Sequence, residues 1–326
     1  NQMIEELKNI PKVELHLHLD GSIPINLASK LSNFDREKLK EVMIAPEKCK
    51  NLSEYLTRFD LPIQLMQTEE NLTQIASNLV GELEKENVIY AEIRFAPNFH
   101  TKKGLSLERI VDSVLKGLGQ NKKVRTNLIL CMMRGASVEE NKKVIDLAEK
   151  YLNKGVCAID LAGAEDKYPL QEYLPLFSLA KEKNIPFTIH AGENGSAREV
   201  EKAIKVGAKR IGHGIHSISD LKVLDLIQEK DILLEICPTS NVQTNAVDIY
   251  ANHPIKKLYQ HHITLNINTD NRTVSNISLT EEYQKLYKTF SFSLNDYQEM
   301  NKKAILHSFL SDEEKEELLK KLVNNI

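Results

Sequence analysis

Eight short runs rich in Val, Ile, Leu and Phe recur along this chain, at 13–19, 88–95, 124–132, 156–162, 186–190, 209–213, 232–237 and 263–268. Most intervals between them hold charged segments with a 3.6-residue apolar period, for instance Leu107 to Leu118, Val138 to Leu152 and Ala197 to Val206. Strands alternating with helices in this way build right-handed βαβ units, which require a parallel sheet. A count of eight favours closure into an α/β fold of the (β/α)8 TIM-barrel kind over an open sheet. No GxGxxG or GxxxxGK[ST] follows any run, which weakens the open nucleotide-binding alternative.

The 326 residues suit one such barrel as a single domain. A net charge of -3 and 27% charged residues give no field that would gather nucleic acid or an anionic membrane. The partner expected is a small molecule. Cys49, Cys131, Cys157 and Cys237 show neither CxxC spacing nor a short-range pairing pattern, and three of them lie in or beside strand-like runs. Buried free thiols and a reducing cytoplasm follow. The segment MIEELKNIPK has no apolar signal region and no stretch approaches a membrane span, so export and insertion are not expected.

Residues 20–87 are far longer than one crossover helix needs, and such an excursion on a barrel is expected to be a helical lid over the site. Within it Leu52, Tyr55, Leu56 and Phe59 fall at i, i+3, i+4 and i+7. That apolar face either packs on the barrel or covers a flat apolar ligand. Residues 278–326 read as helical, ending in a solvated closing helix rich in lysine and glutamate.

Active sites of parallel barrels lie at the C-terminal ends of the strands, and chemically capable residues are concentrated there. His16 and His18 alternate along the first run and share a side. His190 ends the fifth run and Asp270 follows the eighth, which neighbours the first once the ring closes. Singly, each fits a satisfied core histidine or a loop aspartate; together they read as one metal site. Three nitrogens and a carboxylate suit Zn2+ best, with iron or cobalt allowed by ligand type. Glu193, three residues past His190 in HAGE, is either an exposed loop carboxylate or a proton-transfer group whose pKa an apolar pocket would raise. His213, between Gly212 and Gly214 in IGHGIH, is the stronger candidate for the site, and His216 is expected at the surface.

The segments VELHLHLDGS at 13–22, IDLAGAE at 159–165, HAGE at 190–193, RIGHGIH at 210–216, CPTSN at 237–241 and NTDN at 268–271 occur in an order that resembles the adenosine deaminases of the metal-dependent amidohydrolase group. The resemblance spans residues 11 to about 283 and implies the same metal-bearing barrel. It implies one zinc held by His16, His18, His190 and Asp270, since the fourth run ends in Asp160-Leu161-Ala162-Gly163 without the lysine that bridges two metals in related barrels. Glu193 would protonate N1 of the purine, and His213 would orient or deprotonate the water that attacks C6, with ammonia leaving. Gly163 would lie near purine N3, Asp20 near the ribose 5′-hydroxyl, and Ser240 behind the ligand residues. Adenosine, and with it 2′-deoxyadenosine, is the implied substrate of a hydrolase in purine metabolism.

Two positions bear on the substrate. Asp20 stands where adenine deaminases resemble HLEG and nucleotide-acting relatives carry asparagine, so it favours the nucleoside and repels a 5′-phosphate. Asn271 departs from the TDD of the best-known members; its amide donates to N7 without needing protonation, though selectivity among purine analogues is then open. The HxE and PCxxC signature of nucleic-acid deaminases is missing, which disfavours a polynucleotide. The competing readings are a deaminase of adenine or of a modified adenosine, and a non-catalytic purine-nucleoside binding protein.

Overall fold

The computed structural model describes residues 2–324. Its eight strands are β1 Lys12–His18, β2 Val88–Phe95, β3 Arg125–Met133, β4 Val156–Ala162, β5 Thr188–Ala191, β6 Arg210–His213, β7 Leu233–Ile236 and β8 Leu265–Ile267. Each lies within about two residues of an apolar run. All ladders are parallel, in two four-stranded sheets ordered β1-β2-β3-β4 and β5-β6-β7-β8. Single bridge pairs join the sheets at both seams, Ile159 with Phe187 and Leu17 with Asp270. At the second seam the His18 N–H donates to the Asp270 carbonyl at 2.8 Å and the Asp270 N–H to the His16 carbonyl at 3.1 Å. The ring therefore closes at the residues read as ligands.

Helices form the outer layer because their apolar residues recur on one face. Leu107–Leu118 buries Ile110, Val111, Val114 and Leu118, and the Ser106 hydroxyl caps it by accepting the Arg109 N–H at 3.2 Å. Ala197–Val206 buries Val200, Ala203 and Ile204 and stops at Gly207, whose φ of 116° is open to glycine and strained for other residues.

Between β1 and β2 lie the helices Ile25–Leu31, Arg36–Met43, Leu52–Leu56, Asp60–Leu65 and Glu69–Lys85, with a 3-10 turn at Thr57–Phe59. The expected continuous helix through Leu52 and Phe59 is thus split, tightening to a 3-10 turn after Leu56 and resuming at Asp60. The terminal helix Asp312–Asn324 is only partly solvated: Leu318 and Leu322 are buried with Val13, Ile89, Tyr90 and Leu233 at the N-terminal ends of the strands. It closes the barrel floor.

The interior is charged as well as apolar. Glu92, Arg94, Asp160, Arg210 and Glu235 are fully buried on strands. Arg94 reaches Asp160 Oδ2 at 3.0 Å and Glu235 Oε1 at 3.1 Å, while Arg210 reaches Glu235 Oε2 at 2.7 Å and Glu92 Oε1 at 2.6 Å. Breaking such a pair by removing one partner strands a buried charge, typically at a cost of about 3–5 kcal/mol. These ions hold the strands in one mutual register directly beneath the site.

Candidate active site

The four residues expected to share a metal converge. His16, His18, His190 and Asp270 each offer a ligand atom, and those atoms lie within 4.8 Å of one another. His16 Nε2 and His18 Nε2 are 3.1 and 3.2 Å from Asp270 Oδ1. The aspartate is aimed there by a left-handed backbone, φ 66°, strained for a residue with a side chain. Burial opposes its ionisation, yet the His16 and His18 rings outweigh that and hold its carboxyl well below the ordinary aspartate value.

Two buried carboxylates stand behind the rings. Glu235 Oε1 lies 2.9 Å from His16 Nδ1, and Asp160 Oδ2 lies 2.9 Å from His190 Nδ1. Each carboxylate accepts a hydrogen bond from Nδ1–H, which leaves the Nε2 lone pair to face the cluster, the carboxylate–histidine arrangement typical of metal ligands. Arg94 joins the two carboxylates, so one guanidinium couples the supports of two rings. Burial lowers His190 to about 4, so its ring is neutral, the form that binds metal. His16 Nε2, 3.1 Å from Asp270 Oδ1, has no other partner among the described residues. The donor set fits a divalent ion. His16, His213, Cys237 and Asp270 form an overlapping group, but burial pushes the Cys237 thiol up and its sulfur faces the Glu235 carbonyl. His18, His190 and Asp270, by contrast, open onto a cavity.

That cavity, about 250 Å³, is lined by His18, Asp20, Gly163, His190, Glu193, His213, Asp270 and Asn271 from the barrel and by Leu52, Tyr55, Leu56 and Phe59 from the excursion. The apolar helix face packs as one of its two readings expected, Leu52 and Tyr55 clustering with Val274, and the same four side chains wall the cavity. A larger groove of about 720 Å³, bounded by Glu69, Glu70 and Asp112, lies away from these residues on the outer helices.

Glu193 is buried 3.4 Å from His213 Nε2. Burial first, then the negative charges of Asp270 and Glu165, raise its carboxyl well above the usual glutamate value. It is therefore a buried group whose surroundings favour the protonated form, not an exposed loop carboxylate. His213 also adopts a left-handed backbone, φ 68°, between Gly212 and Gly214. Burial lowers its pKa well below 6.5, keeping the ring neutral. His216 departs from expectation: it is half-buried, and its backbone N–H and ring Nδ1 both meet the Gly192 carbonyl, at 3.0 and 2.8 Å, steadying the loop that carries Glu193.

Asp20 lines the cavity, and burial raises its carboxyl. Gly163 has φ 106°, a conformation open to glycine at the cavity wall. The Ser240 hydroxyl donates to Asp270 Oδ2 at 2.8 Å. Asn271 Nδ2 donates to the Tyr55 hydroxyl at 3.0 Å, and its Oδ1 fills the space where a Cβ on Gly21 would stand, so the glycine of HLDGS makes room for Asn271. Sequence reasoning missed Glu165, whose Oε1 accepts the N–H groups of Glu193, Asn194 and Gly195 at 3.1 Å each and whose Oε2 accepts that of Gly192 at 2.7 Å. It also missed Asp160, Glu235 and Arg94. Their signal was present as charged residues inside otherwise apolar parallel strands.

The sequence matches the family described as Adenosine deaminase over residues 11–325. An adenosine deaminase of Shewanella woodyi is 44% identical over 323 residues, 95% of this chain and 98% of that protein. One from Clostridium perfringens is 42% identical over 324 residues, 96% of this chain and 98% of that one. Among solved structures, an arabidopsis N6-mAMP deaminase is similar with a TM-score of 0.89 at 27% identity, over 98% of this chain and 99% of that one. Matched along nearly its whole length, the chain belongs to the adenosine deaminase family and is a hydrolase that deaminates adenosine.

Proposed function

We propose that His16, His18, His190 and Asp270 hold one zinc ion and that Glu193 is the acid of the deamination. The observation that carries this is the buried Glu193 facing the same cavity as three of the four convergent ligand residues, with its carboxyl raised by burial and by neighbouring negative charge. A divalent ion bound by these four residues would lower the pKa of water from 15.7 to about 7 and so make hydroxide available near neutral pH. Glu193 gives its proton to N1 of the purine, which removes aromatic resistance at C6. His213 orients the water that attacks C6; of that water's two protons one leaves with the amine as ammonia and the other restores Glu193, leaving inosine. Gly163 borders N3, the Asn271 amide borders N7 and Asp20 meets the 5′-hydroxyl, a set that also accommodates 2′-deoxyadenosine. Asp20 repels a 5′-phosphate through its charge.

The interval 20–87 acts as a lid in one domain spanning residues 1–326; its support is the wall that Leu52, Tyr55, Leu56 and Phe59 give the cavity. The partner is a small purine nucleoside, with no nucleic acid and no membrane among the ligands. We place the chain in the cytoplasm, where four buried thiols, all free, remain reduced. No described helix is long and apolar enough to cross a membrane.

The test is Glu193→Gln, followed by loss of the adenosine absorbance band. Folding and bound zinc stay intact while kcat falls by about 10²-fold or more. Near-normal turnover removes the assigned role.

A further inference from the structure

His213 Nε2 points toward the cavity, 3.4 Å from Glu193 Oε2 and 3.9 Å from Asp270 Oδ2, and has no hydrogen-bond partner among the described residues. Whether it presents a hydrogen or a lone pair there decides what it can do to a water. The answer is set by three contacts that begin on the far side of the site. The backbone N–H of Ile255 donates to His253 Nδ1 at 3.0 Å, and a backbone N–H is only ever a donor. His253 is buried and neutral, its pKa pushed down to about 3 by burial, so its one ring proton resides on Nε2. That Nε2–H meets Asn241 at 2.9 Å, which requires the amide oxygen on this side. The amide nitrogen must then face His213 Nδ1, and it does, at 3.0 Å. An NH2 group needs an acceptor, so His213 Nδ1 carries the lone pair and Nε2 carries the hydrogen.

We infer that Asn241 and His253 are positioning residues that lock His213 in the Nε2–H tautomer, so that it meets the attacking water as a hydrogen-bond donor. The inference rests on the reading of His213 as the residue that meets that water. A ring already protonated on Nε2 cannot take a proton through that atom. Its remaining basic atom, Nδ1, is turned away and covered by the Asn241 amide, with Asn241 fully buried. His213 thus orients the attacking oxygen and stabilises charge on it. Deprotonation through Nε2, left open by the sequence, is closed by the wiring behind the ring.

Long-range 1H–15N spectra of protein labelled with 15N-histidine read each ring's tautomer directly, and loss of one signal set in His213→Gln assigns the ring. Zinc-loaded wild-type protein should show His213 with Nε2 protonated and Nδ1 bare. In Asn241→Asp a carboxylate replaces the NH2 donor, so the ring turns to the Nδ1–H form. Then kcat should fall by about 10²–10³-fold, the usual loss for one donor aimed at a reacting oxygen. KM should change by less than about threefold, because the purine contacts lie elsewhere, and the zinc content should be kept. His253→Leu frees the Asn241 amide to turn over, and the ring should show both tautomers with a smaller fall in kcat. A wild-type His213 ring protonated on Nδ1, or an unchanged ring in both variants, overturns the inference. The wild-type spectrum is taken without substrate, so it judges the lock independently of whether His213 meets the water.

Discussion

Glu165→Gln tests whether the acid loop is held from behind. The glutamate side chain sits in a nest of four backbone N–H groups from Gly192 to Gly195, at 2.7–3.1 Å. A glutamine has nearly the same shape but only one acceptor oxygen. Placed at the Oε1 position, that oxygen keeps three bonds in weaker neutral form, while the NH2 group confronts the Gly192 N–H. One buried donor left unpaired costs about 1–3 kcal/mol, and each loss of charge assistance adds to it, for a stability loss of roughly 3 kcal/mol. The loop carries Glu193, and a misplacement of about 1 Å at a reacting group costs about 10²-fold in rate. Glu165 also adds to the negative field that, after burial and together with Asp270, raises Glu193. Turnover needs Glu193 protonated, so activity is present below its pKa and lost as pH rises through it. Removing the Glu165 charge moves that alkaline limb to lower pH. The assay is kcat and KM from adenosine absorbance across pH, alongside urea unfolding and zinc content. A variant that loses stability but keeps both kcat and the alkaline limb would refute the reasoning.

Two further outcomes follow from single residues. Burial holds His100 near pH 4, with ring Nδ1 2.9 Å from the Met66 carbonyl. A depressed histidine contributes stability that is full above about pH 6.5 and lost as pH falls toward its folded value, here about 1.2 kcal/mol between pH 7 and 5.5. Unfolding free energies of wild type and His100→Gln from urea titrations should therefore converge by about that amount on acidification, and parallel lines contradict it. Tyr55→Phe keeps the lid's packing but removes the hydroxyl that contacts Ser275 at 2.7 Å and Asn271 at 3.0 Å. With about 0.5–1.5 kcal/mol lost from placing the base-reading amide, KM for adenosine should rise roughly 2- to 13-fold with kcat little changed; an unchanged KM would show that the lid does not brace Asn271.

The strands were legible because buried parallel strands are nearly continuous apolar runs, and the ligand residues because they stand where those runs end. Distance across the barrel was not. Glu235 lies 219 residues from the His16 it supports, and Asp160 lies 30 from His190. Only ring closure brings them together, so their charges looked like isolated exceptions within apolar strands. Glu165 was quoted within a motif yet carried no visible task, since it bonds backbone amides, which a sequence does not distinguish. His216 was misjudged for the same reason: its partner is the Gly192 carbonyl. The break after Leu56 was hidden because an apolar 3.6-residue period does not show where a helix tightens into a 3-10 turn.

The central claim is that a metal held by His16, His18, His190 and Asp270 makes this chain a deaminase of adenosine. Zinc should therefore be removed by dialysis against a chelator and returned in measured portions while the adenosine absorbance is followed. Turnover should vanish in the stripped protein and return in proportion to added zinc, levelling at one ion per chain. Undiminished deamination by protein shown to be free of metal would contradict the account.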